Sequence, residues 1–449
     1  MKTLRVEDNT SWPKDKFVPV TGIVERVADK TLEQLEKEGI FVFPELVKNA
    51  EDITKDQIII KSVDNRYKLN NVMGFLGYGD ERLIIGSRFS SDKQDYFLQY
   101  MLKKVMDFPN VLDWNTNATQ ENHLFSLLLF LFPYYLKIAM RKGSIKTYIC
   151  NKYNDANIKG TIDIPRHIKE NTPFIGNVSY NEREFSYDNY LMELIRHTIE
   201  FIKRKSCGET LLRTVKVEIK AVVAATKEYT PQNKKKIIQI NKKQPIVHAF
   251  YHEYRLLQRL CILILQYEKH QIGCGKRQVH GILFDGAWLW EEYINSVIKD
   301  YFYHPMNKSK KGAQQLFSSI KDSKNNENKM IGLVYPDFIS KKVKNRIVAD
   351  AKYKPIENIG NRDYLQVLAY MFRFDASKGY FVYPDKNKGS DAQLKMNQGT
   401  SYQNNVMPHE EDITVIKCGL TIPKVATSYD DFVFQITASE KELLDKLIE

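Results

Sequence analysis

The segment that most restricts this chain is residues 330–356, MIGLVYPDFISKKVKNRIVADAKYKPI, in which two apolar runs flank the charged turn SKKVKN. Short apolar runs joined by a polar turn read as a β-hairpin. With the turn centred between Val343 and Lys344, strand pairing sets Asp337 opposite Asp350. Side chains alternate along a strand, so Asp350 and Lys352 project from one face and Ala351 from the other. A buried run such as RIVAD does not end in an acid and a base on one face without compensation, because desolvating charge is expensive. Function is the simplest compensation.

Two hard carboxylate oxygen donors suit Mg²⁺, with Mn²⁺ as a substitute, since such an ion binds through one or two carboxylates plus phosphate oxygens and waters. A metal held there acidifies water and stabilises charge on a phosphate, while a nearby lysine orients that water as the ammonium or deprotonates it as the free amine. The chemistry expected of Asp337, Asp350 and Lys352 is therefore phosphodiester hydrolysis. Charge points to the same substrate class: 67 Lys and Arg against 55 Asp and Glu leave a net +12, which attracts polyanions, with nucleic acid first among them.

At 449 residues the chain exceeds one compact domain, and its 43% hydrophobic and 12% aromatic content predicts folded structure throughout. The five cysteines are scattered, odd in number and without a C-x-x-C pair, which speaks against a disulfide framework and a structural zinc site and suits a reducing cytosol. The start, MKTLRVEDNTSWPKDK, lacks the apolar core of a signal peptide. The most apolar run, Leu124 to Met140, contains Pro133 and Lys137 and falls short of the ~20 residues that span a bilayer, so a buried helix and no membrane association are expected.

Along the chain, FVPVTGIVERV, DQIIIKSV, YKLNNVMGFLGYG and ERLIIGSRF read as short strands of a β-rich N-terminal domain, interrupted by helical periodicity in TLEQLEKEG. Helices are predicted through YFLQYMLKKVM and from Glu121 to Lys142. KGTIDIPRHI and IGNVSYNEREF alternate as strands do, and amphipathic helices follow over Ser186 to Lys205 and Ile246 to Glu268. The Lys-rich stretch Tyr229 to Lys243 reads as a solvated loop, and the polar stretches Met306 to Lys329 and Asp385 to Asp412 as loops or insertions. His248 and His252 lie four apart without the H-E-x-x-H pattern and suit packing or surface roles. No G-x-S-x-G elbow and no G-x-x-x-x-G-K-[ST] phosphate loop occurs, so neither a serine nucleophile nor nucleotide binding by this chain is expected.

The arrangement Pro336-Asp337, a dozen residues, then Asp350-Ala351-Lys352 resembles the motif of the PD-(D/E)XK nuclease superfamily. Its context fits, because a predicted helix (Asn361 to Phe372) and then a strand (Gly379 to Pro384) follow, completing the β-β-α-β order that the superfamily implies. Within RDYLQVLAYMF, Gln366 and Tyr370 at i,i+4 resemble the Q-x-x-x-Y element of the RecB-like branch, which implies that the pair supports the site or contacts DNA. Upstream, LWEEYI resembles the F-E-x-[FY] pattern of McrC-type restriction subunits and would select Glu291 to complete the metal site, with Glu292 the competing choice. GTIDIPRHIKENTPFIGNVSYNEREFSYDNYLMELI is similar to the central region of the McrC-like and LlaJI families.

That resemblance implies an α+β multidomain chain: a β-rich N-terminal domain for partner docking (1–118), a mainly helical middle region (119–275) and a C-terminal α/β nuclease domain (276–449). It implies a Mg²⁺-dependent endonuclease subunit of a restriction, phage-defence system in the cytoplasm. Its partners would be double-stranded DNA and a hexameric McrB-like AAA+ GTPase, which would supply any nucleotide-driven step. The alternatives are a nuclease of the same superfamily working in repair or recombination, and a non-catalytic DNA-binding or assembly subunit. Intact Asp337, Asp350 and Lys352 argue against the last.

Overall fold

The computed structural model describes all residues except 1, 38–39, 44–55, 91–94, 107–119, 206–207, 271–278, 306–311, 318–330, 343, 388, 390, 399–406, 410–412 and 449. The fold is mixed α+β, with several separate sheets. Two compact units emerge: Met1–Phe108 with Arg277–Glu449, and Pro109–Lys276. Among the described residues no helix is long and apolar enough to cross a membrane.

The first unit holds two main sheets. The N-terminal one contains β1 (Lys2–Glu7), β2 (Ile40–Phe43), β3 (Val72–Tyr78), β4 (Glu81–Gly86) and β5 (His280–Asp285), in the order β1-β4-β3-β5-β2. Strand β5 comes from beyond the 275/276 boundary expected from the sequence, yet pairs antiparallel with β3 and parallel with β2. Gly74 permits this pairing: its φ is +141°, and a Cβ there would stand 2.1 Å from the Ile282 carbonyl oxygen. A smaller sheet joins Ser11–Pro13, Arg66–Leu69 and Ile60–Val63.

One predicted strand is instead helical. FVPVTGIVERV forms a 3₁₀ turn over Lys14–Val20 and an α-helix over Thr21–Val27. Phe17, Val20, Ile23, Val24 and Val27 are the buried residues, a spacing of three to four, while Val18 is exposed. The helical period therefore outweighed the β-branched composition.

The second sheet runs β6 (Phe302–Tyr303), β7 (Phe338–Ser340), β8 (Arg346–Ala351), β9 (Ala376–Asp385), β11 (Thr414–Thr421) and β10 (Ala392–Lys395). β7 and β8 are the antiparallel hairpin, paired Phe338↔Ala349 and Ile339↔Val348; the same register continued by one residue sets Asp337 opposite Asp350. β9 lies parallel to β8, and the crossover between them is the helix Asn361–Phe374. Val348, Val367, Tyr370, Met371 and Phe381 form the core between that helix and the sheet. The polar stretches contribute more than loops: Gln314–Phe317 pairs with Ile331–Val334, and β10 with β11. Cross-strand hydrogen bonds stabilise these polar strands without a continuous apolar face.

In this unit, helices α1 (Tyr96–Met106), α2 (Gly286–Ile298), α3 (Asn361–Phe374) and α4 (Tyr429–Ile448) cover the sheets. α1, α2 and α4 meet at a buried carboxylate, Glu440, which accepts hydrogen bonds from Tyr100 (2.9 Å) and Tyr293 (2.8 Å) and pairs with Lys104 at 3.2 Å. An apolar helix contact tolerates this charge because three donors compensate its desolvation.

The second unit contains long helices Gln120–Met140, Tyr190–Lys203 and His252–His270 and a three-stranded sheet of Thr147–Asp155, Val178–Ser186 and Thr161–Ile162. Asn189 caps the Tyr190 helix by accepting from Leu191 and Met192 N–H. Two expectations change here. IPRHIKE is helical because Asp163 accepts from Arg166 N–H and Pro165 occupies the first turn, where its missing N–H costs nothing. Lys234–Lys243 is a helix rather than a loop, since Ile237, Ile238 and Asn241 are buried on one side and the lysines face water. His248 lies outside the following helix, its Nδ1 accepting from Phe250 N–H.

Candidate active site

The hairpin ends deliver three charged side chains to one place. β8 buries Ile347 through Asp350, and Asp350 is 1% exposed; Asp337, at the end of the partner strand, is half-buried and accepts from Ala351 N–H at 2.8 Å. Lys352 Nζ meets Asp350 Oδ2 at 2.5 Å as an ion pair. The ammonium therefore faces this buried oxygen directly and opposes the effect of burial on the Asp350 carboxyl. The lysine backbone is held by its N–H donating to Val382 O at 2.8 Å.

Electrostatics at this point follow from crowding. Burial, then the charges of Asp350 and Glu291, push the Asp337 carboxyl well above the usual carboxylate range. Burial also raises Asp350, opposed by Lys352. For Lys352, burial disfavours the ammonium, but Asp350 and Asp337 outweigh it and hold the lysine protonated beyond its ordinary range. Two carboxyls and one ammonium thus share the site, with Lys354 a lesser positive charge acting on Asp350.

Helix α3 supports the lysine from one side. Lys352 Nζ donates to Gln366 Oε1 (3.3 Å), Gln366 Nε2 to the Tyr370 hydroxyl (2.5 Å), and that hydroxyl to Tyr335 O (2.9 Å). The i,i+4 pair therefore links Lys352 to the chain two residues before Asp337. Tyr370 is 1% exposed and faces the core, whereas Gln366 keeps partial access to water. Asp363, one turn earlier, accepts from Lys354 at 2.6 Å and from Gly360 N–H at 3.0 Å, and lies 3.8 Å from Lys352. These bonds hold its carboxyl below the usual range, against burial, which acts to raise it.

Helix α2 brings both glutamates. Asp285 caps it by accepting from Ala287 N–H at 2.8 Å, and buried Trp290 and Tyr293 fix its rotation. Glu291 and Glu292 then approach His304 Nε2 at 3.7 and 3.8 Å. Glu291 is the more buried, with a side chain 14% exposed against 30%. His304 Nδ1 lies 2.9 Å from Asp337 O; a carbonyl only accepts, so Nδ1 carries the hydrogen and Nε2 faces the acids. Burial lowers the His304 pKa, but Glu292, the Asp337 carbonyl and Glu291 reverse the shift and raise it. No spacing in the sequence marks His304, an isolated histidine after a helix. Only the fold sets it between Glu291 and Asp337.

Oxygen donors dominate the site. Among the described residues no three His, Cys, Asp or Glu side chains are clustered to cage an ion. Asp337 and Asp350, two carboxyls close enough for the charge of one to raise the other, fit a hard divalent cation that takes one or two carboxylates and completes its shell with water and phosphate oxygens.

A sequence-family model described as "McrBC 5-methylcytosine restriction system component" matches residues 67–384, more than two thirds of the chain. Among curated proteins, none matches. A chain of the refined half-complex from the tetradecameric assembly of Thermococcus gammatolerans McrB AAA+ hexamers with bound McrC is similar at 16% identity and a TM-score of 0.46, covering 97% of this chain and 99% of that one. A chain of the cryo-EM structure of the T. gammatolerans McrBC complex is similar at 15% identity and a TM-score of 0.30, covering 66% of this chain and 87% of that one.

Proposed function

The chain belongs to the family of McrBC 5-methylcytosine restriction system components, and from that premise we propose that it is the DNA-cutting subunit of a restriction system, a Mg²⁺-dependent endonuclease. The observation that carries this reading is the meeting of Asp337, Asp350 and Lys352 at the end of one hairpin, with Asp350 buried. The β7-β8-α3-β9 order around them supports a PD-(D/E)XK core in residues 276–449.

Asp337 and Asp350 would hold the cation, with Glu291 assisting; Mg²⁺, or Mn²⁺ in its place, would supply Lewis-acid stabilisation of phosphate charge and a more acidic water. Lys352 remains an ammonium beside these carboxylates, so its role is to donate a hydrogen bond to the attacking water or a phosphate oxygen rather than to remove a proton. Gln366 and Tyr370 keep that ammonium aimed. The water oxygen forms a bond to phosphorus as one ester P–O bond breaks, leaving a phosphate monoester and a hydroxyl. The net charge of +12 supports capture of double-stranded DNA. The T. gammatolerans assemblies, whose McrC is bound to McrB AAA+ hexamers, motivate a McrB-like AAA+ GTPase as this chain's partner, docked through the N-terminal region, with any nucleotide hydrolysis on the partner.

The test is plasmid cleavage with Mg²⁺ by wild type and Asp350→Ala, each alone and with the AAA+ protein plus GTP. Cleavage lost in the variant supports the site, and a requirement for partner and GTP supports the restriction assembly. Equal cleavage by both proteins refutes the site, and none under any condition points to a non-catalytic subunit.

A further inference from the structure

The N-terminal sheet reaches the candidate site directly, through Arg88 just after β4. Its guanidinium makes three contacts at once: Nη1 to Asp8 Oδ2 at 2.7 Å, Nη1 to Asn71 Oδ1 at 3.0 Å, and Nη2 to the Tyr353 carbonyl oxygen. Asp8 also accepts from Arg88 N–H at 2.6 Å. Asp8 is fully buried and the Arg88 side chain 11% exposed. A buried ion pair of this kind adds little net stability, because desolvation consumes most of the attraction. An apolar pair would hold a sheet to a strand as well, but it could not hold a carbonyl at a set point.

That carbonyl belongs to the residue after Lys352. The lysine is therefore bracketed: on its own residue by the N–H bond to Val382 O, and one residue on by Arg88. Tyr353 is fixed further by its hydroxyl, 2.7 Å from Ser87 Oγ, and by its ring, packed edge-on to Phe89 at 5.0 Å. The same node holds the second part of the site. Asn71, whose side chain accepts from Arg88, accepts with its backbone oxygen from Gly286 N–H at 3.0 Å, at the start of the helix carrying Glu291. A Cβ on Gly286 would stand 2.8 Å from the Tyr353 ring, so helix and tyrosine are in close contact there.

We propose that Arg88 is a positioning residue that sets Lys352, through the Tyr353 carbonyl, and registers it against the Glu291 helix through Asn71. The N-terminal sheet is then part of the cutting machinery's frame, and strain applied to that sheet is delivered to Lys352. The effect on cleavage rests on the nuclease reading above; the effect on Lys352 itself does not.

The experiment uses the full chain with two variants. Arg88→Lys keeps a cation for Asp8 but loses the planar fork that reaches three acceptors together. Tyr353→Phe keeps the ring and removes only the hydroxyl, with its links to Ser87 Oγ and Met73 Sδ. Acetylation of individual lysines by acetic anhydride, read by mass spectrometry, reports how firmly each ammonium is held. Arg88→Lys is expected to raise the Lys352 labelling rate about three-fold or more, with Lys104 unchanged at its Glu440 contact, and Tyr353→Phe to raise it less. With the AAA+ partner, GTP and Mg²⁺, kcat should fall about ten-fold in Arg88→Lys with KM held, as expected for misplacement of a reacting group. Unchanged Lys352 labelling, or a rise shared equally by Lys104, overturns the proposal, the second because it marks general loosening. If wild type cuts no DNA, the nuclease reading fails while the labelling still decides the role of Arg88.

Discussion

Replacing Tyr370 by phenylalanine removes one oxygen from the relay Lys352–Gln366–Tyr370–Tyr335 and leaves the ring in its core position. The hydroxyl donates to Tyr335 O at 2.9 Å and receives Gln366 Nε2 at 2.5 Å. Neutral hydrogen bonds contribute about 1 kcal/mol each, and Gln366 and Tyr335, both only half-buried, recover part of that from water. Stability should therefore drop by roughly 1–2 kcal/mol. The effect on the proposed cleavage has a different origin: Gln366, released at one end, no longer presents Oε1 to Lys352 at 3.3 Å. The Asp350 ion pair still holds the lysine, so the loss is that of one charge-assisted contact, about 1–2 kcal/mol, or roughly 5- to 30-fold in rate. Single-turnover cleavage of a supercoiled plasmid, with partner and GTP in excess, measures this directly, and DNA affinity should not change. Because Gln366 and Tyr370 act in series, the double variant Gln366→Ala/Tyr370→Phe should be no slower than Gln366→Ala alone. A wild-type rate in Tyr370→Phe, or additive losses in the double variant, would refute the relay.

Three further outcomes are expected. Divalent cation binding, followed by calorimetry with Mg²⁺ or Mn²⁺, should weaken as pH falls, by up to about ten-fold per pH unit for each proton displaced, because burial holds protons on Asp337 and Asp350 above the usual range. Glu291→Gln should weaken binding further and Glu292→Gln should not; the reverse order would assign the assisting role to Glu292. In the second unit, burial and then Lys234 lower the His197 pKa to about 4. The unfolded chain takes up that proton first, so stability present above about pH 6.5 is lost as pH falls toward 4, amounting to about 2 kcal/mol by pH 5. Glu193, raised to about 7 by burial and Asp188, acts in the opposite sense, losing stability as pH rises. It is common to wild type and His197→Phe, so it cancels in their difference. Native-state hydrogen exchange over Tyr190–Lys203 at pH 7.5 and 5 should show wild type losing about 2 kcal/mol more than the variant; equal losses would mean that His197 does not carry the acid sensitivity.

The elements around the candidate site were legible where period and punctuation agreed. The hairpin register that sets Asp337 opposite Asp350 follows from apolar runs on either side of one polar turn, and Gln366 and Tyr370 meet because i,i+4 residues share a helix face. Local signals misled where two periods fitted the same letters. FVPVTGIVERV has strand composition, yet Phe17, Val20, Ile23, Val24 and Val27 pack as a helix, because a buried face decides between periods that composition leaves balanced. Lys234–Lys243 reads as a charged loop because its apolar residues are only Ile237, Ile238 and Ile240, sufficient once a neighbouring surface covers them.

By itself, the sequence determined the hairpin, its following helix and strand, the three charges at its end and the basic balance that favours a polyanionic substrate, since each depends on local periodicity or on composition. Tertiary structure alone decided that β5 joins the N-terminal sheet, that His304 stands between Glu291 and Asp337, and that Arg88 holds the residue beyond Lys352. Those contacts join residues 13 to 265 positions apart. Short-range pattern carries no information about such pairings, which are chosen by which buried donors and acceptors can satisfy one another once the sheets have formed.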